Sequence, residues 1–170
     1  MSDERAMAVK ILPFVRDFGA DALSDDALLA LGAFFEKWGY GAFEAKRFKE
    51  DFAASPYGVV LVKDKVLLGA LLYRIAGDEA EIIELAVHAD HRRASIGRHL
   101  LACLSSHLSE HNILRLLLEV AEDNHGAIAL YASAGFERKG VRPRYYQRYD
   151  EDHKAKKIDA IIMELWLSKG

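Results

Sequence analysis

The spacing of apolar residues changes twice between residues 80 and 120, and this change constrains the fold more than any other feature. Two short apolar runs, residues 80–87 and 113–120, flank a segment in which apolar side chains recur at every fourth position. These side chains are Ile96, Leu100, Leu104 and Leu108. Short apolar runs favour strands, whereas a period near 3.6 residues is typical of a helix that buries one face. The segment therefore predicts strand, helix, strand.

Weaker periodicities extend this pattern along the rest of the chain. Helical spacing predicts further helices at residues 21–38, 43–54 and 124–134. Apolar and β-branched runs predict strands at residues 9–15, 59–62, 66–75, from Phe136 onward, and at 159–167. Gly39 and Gly135 end two of the helices, and Lys63-Asp64-Lys65 is a hairpin turn. The predicted order β-α-α-β-β-β-α-β-α-β-β indicates an α/β fold, with a mixed, mostly antiparallel central sheet of about seven strands and helices on both faces.

Composition excludes several classes of protein. A chain of 170 residues has the size of one domain, and we predict a single domain over residues 1–170. The one cysteine, Cys103, excludes an internal disulfide framework. The longest apolar run, residues 27–35, is too short to span a membrane, and the N-terminus lacks the pattern of a secretory signal. From these two features we expect a cytoplasmic protein. The net charge of −3 predicts no general affinity for nucleic acid or membranes.

Two groups of residues invite a functional interpretation that the sequence favours less than a plain one. Residues 137–157 contain eight basic and four acidic residues, which we interpret as a solvated loop, with an anion-binding or acidic-partner patch as the alternative. His107 and His111 have the spacing of metal ligands on a helix, but no third ligand accompanies them. We therefore predict surface histidines and no metal site.

The segment from residue 85 to residue 98 carries the clearest chemical signal. A strand ends there, a loop of small and basic residues follows, and a helix begins. Backbone N–H groups and the positive end of the helix dipole favour a phosphate at such a junction. The candidate ligand-binding residues are Leu85, Ala86, Val87, Arg92, Arg93, Ala94, Ser95, Ile96, Gly97 and Arg98. From these residues alone, an ordinary helix start with Ser95 as its cap and solvated arginines is an equal alternative.

Four further stretches link this loop to a known family. They are Leu118-Glu119-Val120, the pattern from Asn124 through Ala127 and Leu130-Tyr131 to Gly135-Phe136, the run Val141-Arg142-Pro143-Arg144-Tyr145-Tyr146, and Asp159-Ala160-Ile161-Ile162-Met163. Together with the loop they resemble the GNAT superfamily of acetyl-CoA-dependent N-acetyltransferases. Residues 82–167 resemble in particular its RimI group, which acetylates protein N-termini. The resemblance implies the GNAT fold and acetyl-CoA as co-substrate.

The same resemblance implies a role for individual residues. Residues 85–87 would pair their backbone with pantetheine, residues 92–98 would hold the pyrophosphate, and Asn124 would lie near the thiol arm. Glu119 would be the general base and Tyr131 the general acid. Glu84, Tyr145 and Tyr146 would face the substrate.

The sequence departs from the family at Ser95, which replaces a glycine. If this position requires a positive φ, the serine is strained. The segment 147–157 is also longer than usual in the family. Three alternatives remain: Glu84 or Glu81 in place of Glu119 as the base, and Tyr131 as a packing residue.

The acceptor is less well constrained than the donor. We expect a protein N-terminal amine, with a small amine such as a polyamine, an amino acid or an antibiotic as the alternative. A non-catalytic acyl-CoA-binding module is a third reading. We expect a monomer or a homodimer.

Overall fold

The computed structural model describes residues 8–13, 25–39, 57–149 and 154–167. The described elements, with a short 3₁₀ turn at Ala89–His91, are β1 (Ala8–Pro13), α1 (Asp25–Trp38), β2 (Tyr57–Lys63), β3 (Val66–Ala76), β4 (Glu79–Val87), α2 (Ile96–Glu110), β5 (Arg115–Ala121), α3 (His125–Ser133), β6 (Glu137–Tyr149) and β7 (Ala155–Trp166). The seven strands form one sheet in the order β1-β2-β3-β4-β5-β7-β6. This confirms the predicted class and strand number. The helix predicted at 43–54 lies outside the described residues.

The hairpin between β2 and β3 follows directly from its sequence. The two strands pair antiparallel, with Lys63 opposite Val66. Asp64 and Lys65 between them have φ values of 49° and 64°. Two consecutive residues with positive φ are typical of the tight turns whose twist matches that of the flanking strands. The predicted turn at Lys63-Asp64-Lys65 is therefore confirmed.

The described residues group into two compact units, residues up to 74 with 82–107, and residues 75–81 with those from 108 onward. In the first unit, α1 packs Leu31, Phe34 and Phe35 against Ala70 and Leu72 of β3. Neighbouring strand residues point to opposite faces, so Gly69 faces the other side of the sheet. A Cβ atom on Gly69 would lie 2.7 Å from Ile96 Cγ2 of α2, so the glycine permits this close approach. Helices therefore cover both faces of this unit, as predicted.

The second unit contains β5, α3, β6 and β7. β7 pairs antiparallel with both β5 and β6. The buried side chains of β5 and β7 include Leu116, Leu118, Ala160 and Met163. The prediction of one domain over residues 1–170 stays a prediction.

The interpretation of residues 137–157 as a solvated loop was wrong. β6 extends to Tyr149 and β7 begins at Ala155, so most of this segment is a β-hairpin in which Gln147 pairs with Lys157. β6 is mostly exposed, so it lacks the alternation of apolar and polar residues that marks a half-buried strand. The longer segment at 147–157 lengthens this hairpin, and residues 150–153 lie outside the described part.

Two findings on the described residues concern membrane-spanning helices and metal sites. None of the described helices is long and apolar enough to cross a bilayer. In the same part of the chain, no group of three or more His, Cys, Asp or Glu side chains is arranged to hold a metal ion.

Candidate functional site

The loop between β4 and α2 has a strained backbone held by internal hydrogen bonds. The N–H groups of His91, Arg92 and Ala94 donate to carbonyls three residues earlier in the chain. Arg93 and Ser95 have φ values of 63° and 61°. The left-handed conformation is unfavourable for residues other than glycine. The structure thus shows a positive φ at Ser95, the condition under which the sequence predicted strain.

The start of α2 has the properties expected of an anion site. The Ser95 carbonyl accepts the first helical hydrogen bond, from the N–H of His99, at 2.9 Å. The N–H groups in the first turn of a helix have no carbonyl partners within that helix, and they carry the positive end of its dipole. Arg92, Arg93 and Arg98 are exposed around this turn. The loop therefore combines the N–H groups of a helix start with exposed cationic side chains, as an anion site does.

The last residues of β4 are buried or half-buried, and the residue that follows is hydrogen-bonded to β3. Ala86 is buried and belongs to the core cluster that packs against α1, while Leu85 and Val87 are half-buried. The His88 N–H donates to the carbonyl of Leu68 on β3 at 2.9 Å.

Glu119 lies near the end of β5 and has several polar contacts within the second unit. Its Oε1 accepts a hydrogen bond from Arg142 Nη1 at 3.0 Å. Its backbone carbonyl accepts from the Tyr146 hydroxyl at 3.2 Å. The Arg142 guanidinium also lies 4.3 Å from the centre of the Tyr145 ring. The side chain of Glu119 is 21% exposed and that of Arg142 56%, so solvent reaches this cluster.

The charges in this cluster shift the pKa values of two β6 residues. The hydrogen bond and the charge of Glu119 raise the pKa of Arg142. Partial burial raises the pKa of Tyr145, and the charges of Glu119 and Glu81 raise it further, whereas Arg142 lowers it. Since the charge of Glu81 acts on both residues, Glu81 lies within electrostatic reach of this cluster.

Glu84 has a different environment from Glu81. Burial alternates along β4, so that Glu84 is buried and Glu81 half-buried on the opposite face. A Cβ atom on Gly39, at the end of α1, would lie 3.5 Å from the Glu84 carboxyl carbon. Glu84 therefore lies beside the end of α1, whereas Glu81 acts electrostatically on Arg142 and Tyr145.

Two predicted site residues occupy well-defined positions on α3. Asn124 caps the helix, because its Oδ1 accepts the Ala127 N–H at 3.2 Å. Tyr131 is buried, and its ring centre lies 5.6 Å from that of Phe136. Both the catalytic role of Tyr131 and its packing alternative fit this position. The cofactor role of Asn124 also stays a prediction.

The sequence reasoning missed Arg142 as a member of the site. It singled out the tyrosine pair that follows but treated the arginine as one of eight basic residues in a loop. Arg142 and Glu119 are 23 positions apart, and their contact depends on how β6 pairs with β7 and β7 with β5. The one local signal was an arginine close to the tyrosine pair.

Comparisons with known proteins identify the family to which the chain belongs. A model of the acetyltransferase (GNAT) family matches residues 24–136, more than half of the chain. The [ribosomal protein bS18]-alanine N-acetyltransferase of Escherichia coli strain K12 is 41% identical over 91 residues, which are 54% of this chain. The chain spans 58% of the length of that curated relative.

Two solved structures of acetyltransferases are similar in fold to this chain. The crystal structure of the ribosomal-protein-S18-alanine N-acetyltransferase from Escherichia coli matches with a TM-score of 0.75 and 27% identity, covering 96% of both chains. A Bacillus subtilis acetyltransferase in complex with CoA matches with a TM-score of 0.71 and 11% identity. It covers 96% of this chain and 100% of its own, and it shows similarity of fold.

Proposed function

This chain belongs to the acetyltransferase (GNAT) family, and we propose that it transfers an acetyl group from acetyl-CoA to the N-terminal amine of a protein. The observation that carries the proposal is the solvent-accessible Glu119 carboxylate, which accepts a hydrogen bond from Arg142 close to the tyrosine pair on β6. The names of the curated Escherichia coli relative and of the matching crystal structure support the same acceptor class.

We expect the donor to bind along the end of β4 and the start of α2. The backbone of residues 85–87 would pair with the pantetheine arm. The first turn of α2, with Arg92, Arg93 and Arg98, would hold the pyrophosphate, because charge-assisted hydrogen bonds to phosphate are strong. Asn124 would contact the cofactor near its thiol. No metal is required for this reaction.

The chemistry asks for one base and one acid. The acceptor amine attacks the thioester carbonyl as a free base, although an N-terminal amine has a pKa of about 8. Glu119, directly or through a water, would take the proton that the nitrogen loses when the new C–N bond forms. The C–S bond then breaks, and the Tyr131 hydroxyl would protonate the departing thiolate, since a group with a pKa of about 10 suits that step.

The exposure of the cluster favours a peptide over a small amine. The Arg142 side chain is more than half exposed, and Tyr145 is 46% exposed. A chain that continues beyond its reacting amine needs such an approach from solvent, whereas a small amine is typically enclosed. We expect this reaction in the cytoplasm, with the protein as a monomer or a homodimer.

Turnover measurements on the intact chain test this proposal. Release of free CoA from acetyl-CoA is followed with N-terminal peptides, with the same peptides blocked at the N-terminus but carrying an internal lysine, and with spermidine and free amino acids. We expect turnover only with the unblocked peptides. Faster turnover of a small amine would contradict a protein acceptor and favour a small-molecule amine as the substrate.

Calorimetry with coenzyme A distinguishes an enzyme from a protein that only binds the cofactor. Binding of coenzyme A without turnover of any acceptor would indicate a non-catalytic acyl-CoA-binding module. Absence of binding at high micromolar concentration would contradict the proposed donor as well.

A further inference from the structure

β6 contains an irregularity directly beside Glu119. Arg142 pairs with Ala160 of β7, but the next registered residue, Tyr146, pairs with Ile158. Residues 143–145 therefore lie opposite Asp159 alone. The Arg144 N–H donates to Asp159 Oδ1 at 2.8 Å, and Arg144 has a φ of 55°. Extra residues of this kind bend a strand and redirect its side chains.

The irregularity brings two β6 residues to one residue of β5. In a regular strand, positions four apart are separated by about 13 Å. Here Arg142 reaches the carboxylate of Glu119 at 3.0 Å, and the Tyr146 hydroxyl reaches its backbone carbonyl at 3.2 Å. Side chain and main chain of Glu119 are thus both contacted from the same distorted stretch.

Arg142 has a second contact besides its hydrogen bond to Glu119. Its guanidinium lies over the Tyr145 ring, a contact that attracts a cation to the face of an aromatic ring. An arginine keeps its charge at any physiological pH, so its ion pair with Glu119 persists as long as the carboxylate is ionised. The other carboxylate near this cation, Glu81, also acts on it electrostatically.

We propose that Arg142 is a positioning residue that fixes the Glu119 carboxylate in the orientation from which it accepts the proton of the acceptor amine. This inference rests on the proposed function. A general base has to lie within hydrogen-bond reach of the proton it removes, and hydrogen bonds with Arg142 and Tyr145 restrict the orientation of the Glu119 side chain. Arg142 engages Oε1 and thereby sets the direction of the second oxygen.

The test compares Arg142→Ala with Arg148→Ala. Arg148 lies on the same strand and pairs with Asp123 at 3.2 Å, so its loss removes a similar surface ion pair away from Glu119. Misplacing a catalytic group by about 1 Å can cost about 100-fold in rate. We expect Arg142→Ala to lower kcat by about 10- to 100-fold, with the KM for acetyl-CoA and the Tm close to those of Arg148→Ala. Arg142→Lys should recover part of the loss, because a lysine can still reach a single carboxylate oxygen.

A double-mutant cycle distinguishes positioning from a purely structural role. If Arg142 acts through Glu119, its removal from a Glu119→Gln chain should change kcat by less than about threefold. An equal loss in both backgrounds, or a kcat for Arg142→Ala equal to that for Arg148→Ala, would overturn the inference while the wild type remains active. An inactive wild type would instead show that the proposed function has failed.

Discussion

Glu81 and Glu119 both act on the charge of Arg142, and they differ in how they do so. Glu119 accepts a hydrogen bond from Arg142, whereas Glu81 acts on that residue electrostatically. Glu84 lies beside the end of α1 instead. At the residue scale we therefore retain Glu119 as the base and Glu81 as its closest rival.

Replacing Glu119 by Gln keeps its size and removes the group that accepts a proton. General base catalysis contributes about 100- to 10,000-fold, so we expect kcat/KM for an N-terminal peptide to fall within that range at neutral pH. Part of the loss should return at higher pH, because more of the amine is then already deprotonated. Steady-state kinetics between neutral pH and pH 9 measure both effects. A larger loss in Glu81→Gln, with acetyl-CoA binding intact, would assign the role to Glu81.

Replacing Tyr131 by Phe removes one oxygen and leaves the ring packed against Phe136. We expect a large fall in kcat with little change in the affinity for acetyl-CoA, because the hydroxyl is required only when the thiolate leaves. Stopped-flow or steady-state turnover together with calorimetry measures the two quantities separately. An unchanged kcat would show that Tyr131 is a packing residue.

At the scale of elements, the two helices of the candidate site begin in different ways. α3 begins with Asn124, whose side chain caps the N–H of Ala127. α2 begins after Ser95, whose backbone is left-handed and whose side chain is exposed. The Asn124 cap stabilises α3, whereas the left-handed backbone at Ser95 lowers the stability of the folded chain. Substitutions that remove these two features should therefore have opposite effects on the free energy of unfolding.

The Asn124 cap can be separated from its predicted role in binding. Replacing an N-cap Asn by Ala costs about 1 kcal/mol, so we expect Asn124→Ala to lower the free energy of unfolding by that amount. Asn124→Asp should preserve the cap and the stability. If Asn124 also contacts the thiol arm, the KM for acetyl-CoA should rise in both variants. A normal KM in Asn124→Asp would leave Asn124 with the capping role alone.

The left-handed backbone of Ser95 predicts that glycine at this position gives a more stable protein than alanine, the reverse of the order inside a helix. A residue with a Cβ atom pays about 1–2 kcal/mol in this conformation. We therefore expect Ser95→Gly to be more stable than Ser95→Ala by about 1 kcal/mol. Ala102, exposed within α2, is the control, because Ala102→Gly should destabilise the protein by about 1 kcal/mol. Urea unfolding measures all three variants, and a Ser95→Ala that is the more stable would contradict the observed φ.

At the scale of the whole molecule, a buried tyrosine links stability to alkaline pH. Tyr73 of β3 is fully buried and stacks on Tyr57, with ring centres 5.3 Å apart. Its hydroxyl has no hydrogen-bond partner among the described residues. Burial, and to a smaller extent the charge of Tyr57, raises the pKa of Tyr73 to about 12.

The direction of the pH effect follows from this shift. An unfolded tyrosine ionises near pH 10, whereas Tyr73 in the folded chain holds its proton until about pH 12. Between these values the folded state binds more protons, so stability should fall as pH rises, by up to about 3 kcal/mol. Urea unfolding from pH 9 to 12 measures the fall. Tyr73→Phe should remove this part of it, and an unchanged slope in that variant would contradict the assignment.

Elements that depend on neighbouring residues were predictable from the order of residues alone. The repeat from Ile96 to Leu108 produced α2 because helical spacing is a property of adjacent turns. The turn at Asp64 and Lys65 and the two boundaries of α3 were likewise readable within a few positions. The basic loop before α2 was visible for the same reason.

Contacts between distant side chains depend instead on how the strands pair. Arg142 reaches Glu119 because β6 has an irregular register against β7, and β7 in turn pairs with β5. A strand was predicted from Phe136 onward, but the extent of β6 to Tyr149 was missed, since its mostly exposed residues show no alternation. A shift of one residue in register turns every side chain of a strand to the opposite face. Register is set by pairing between distant segments, so the order of residues along the chain does not display it.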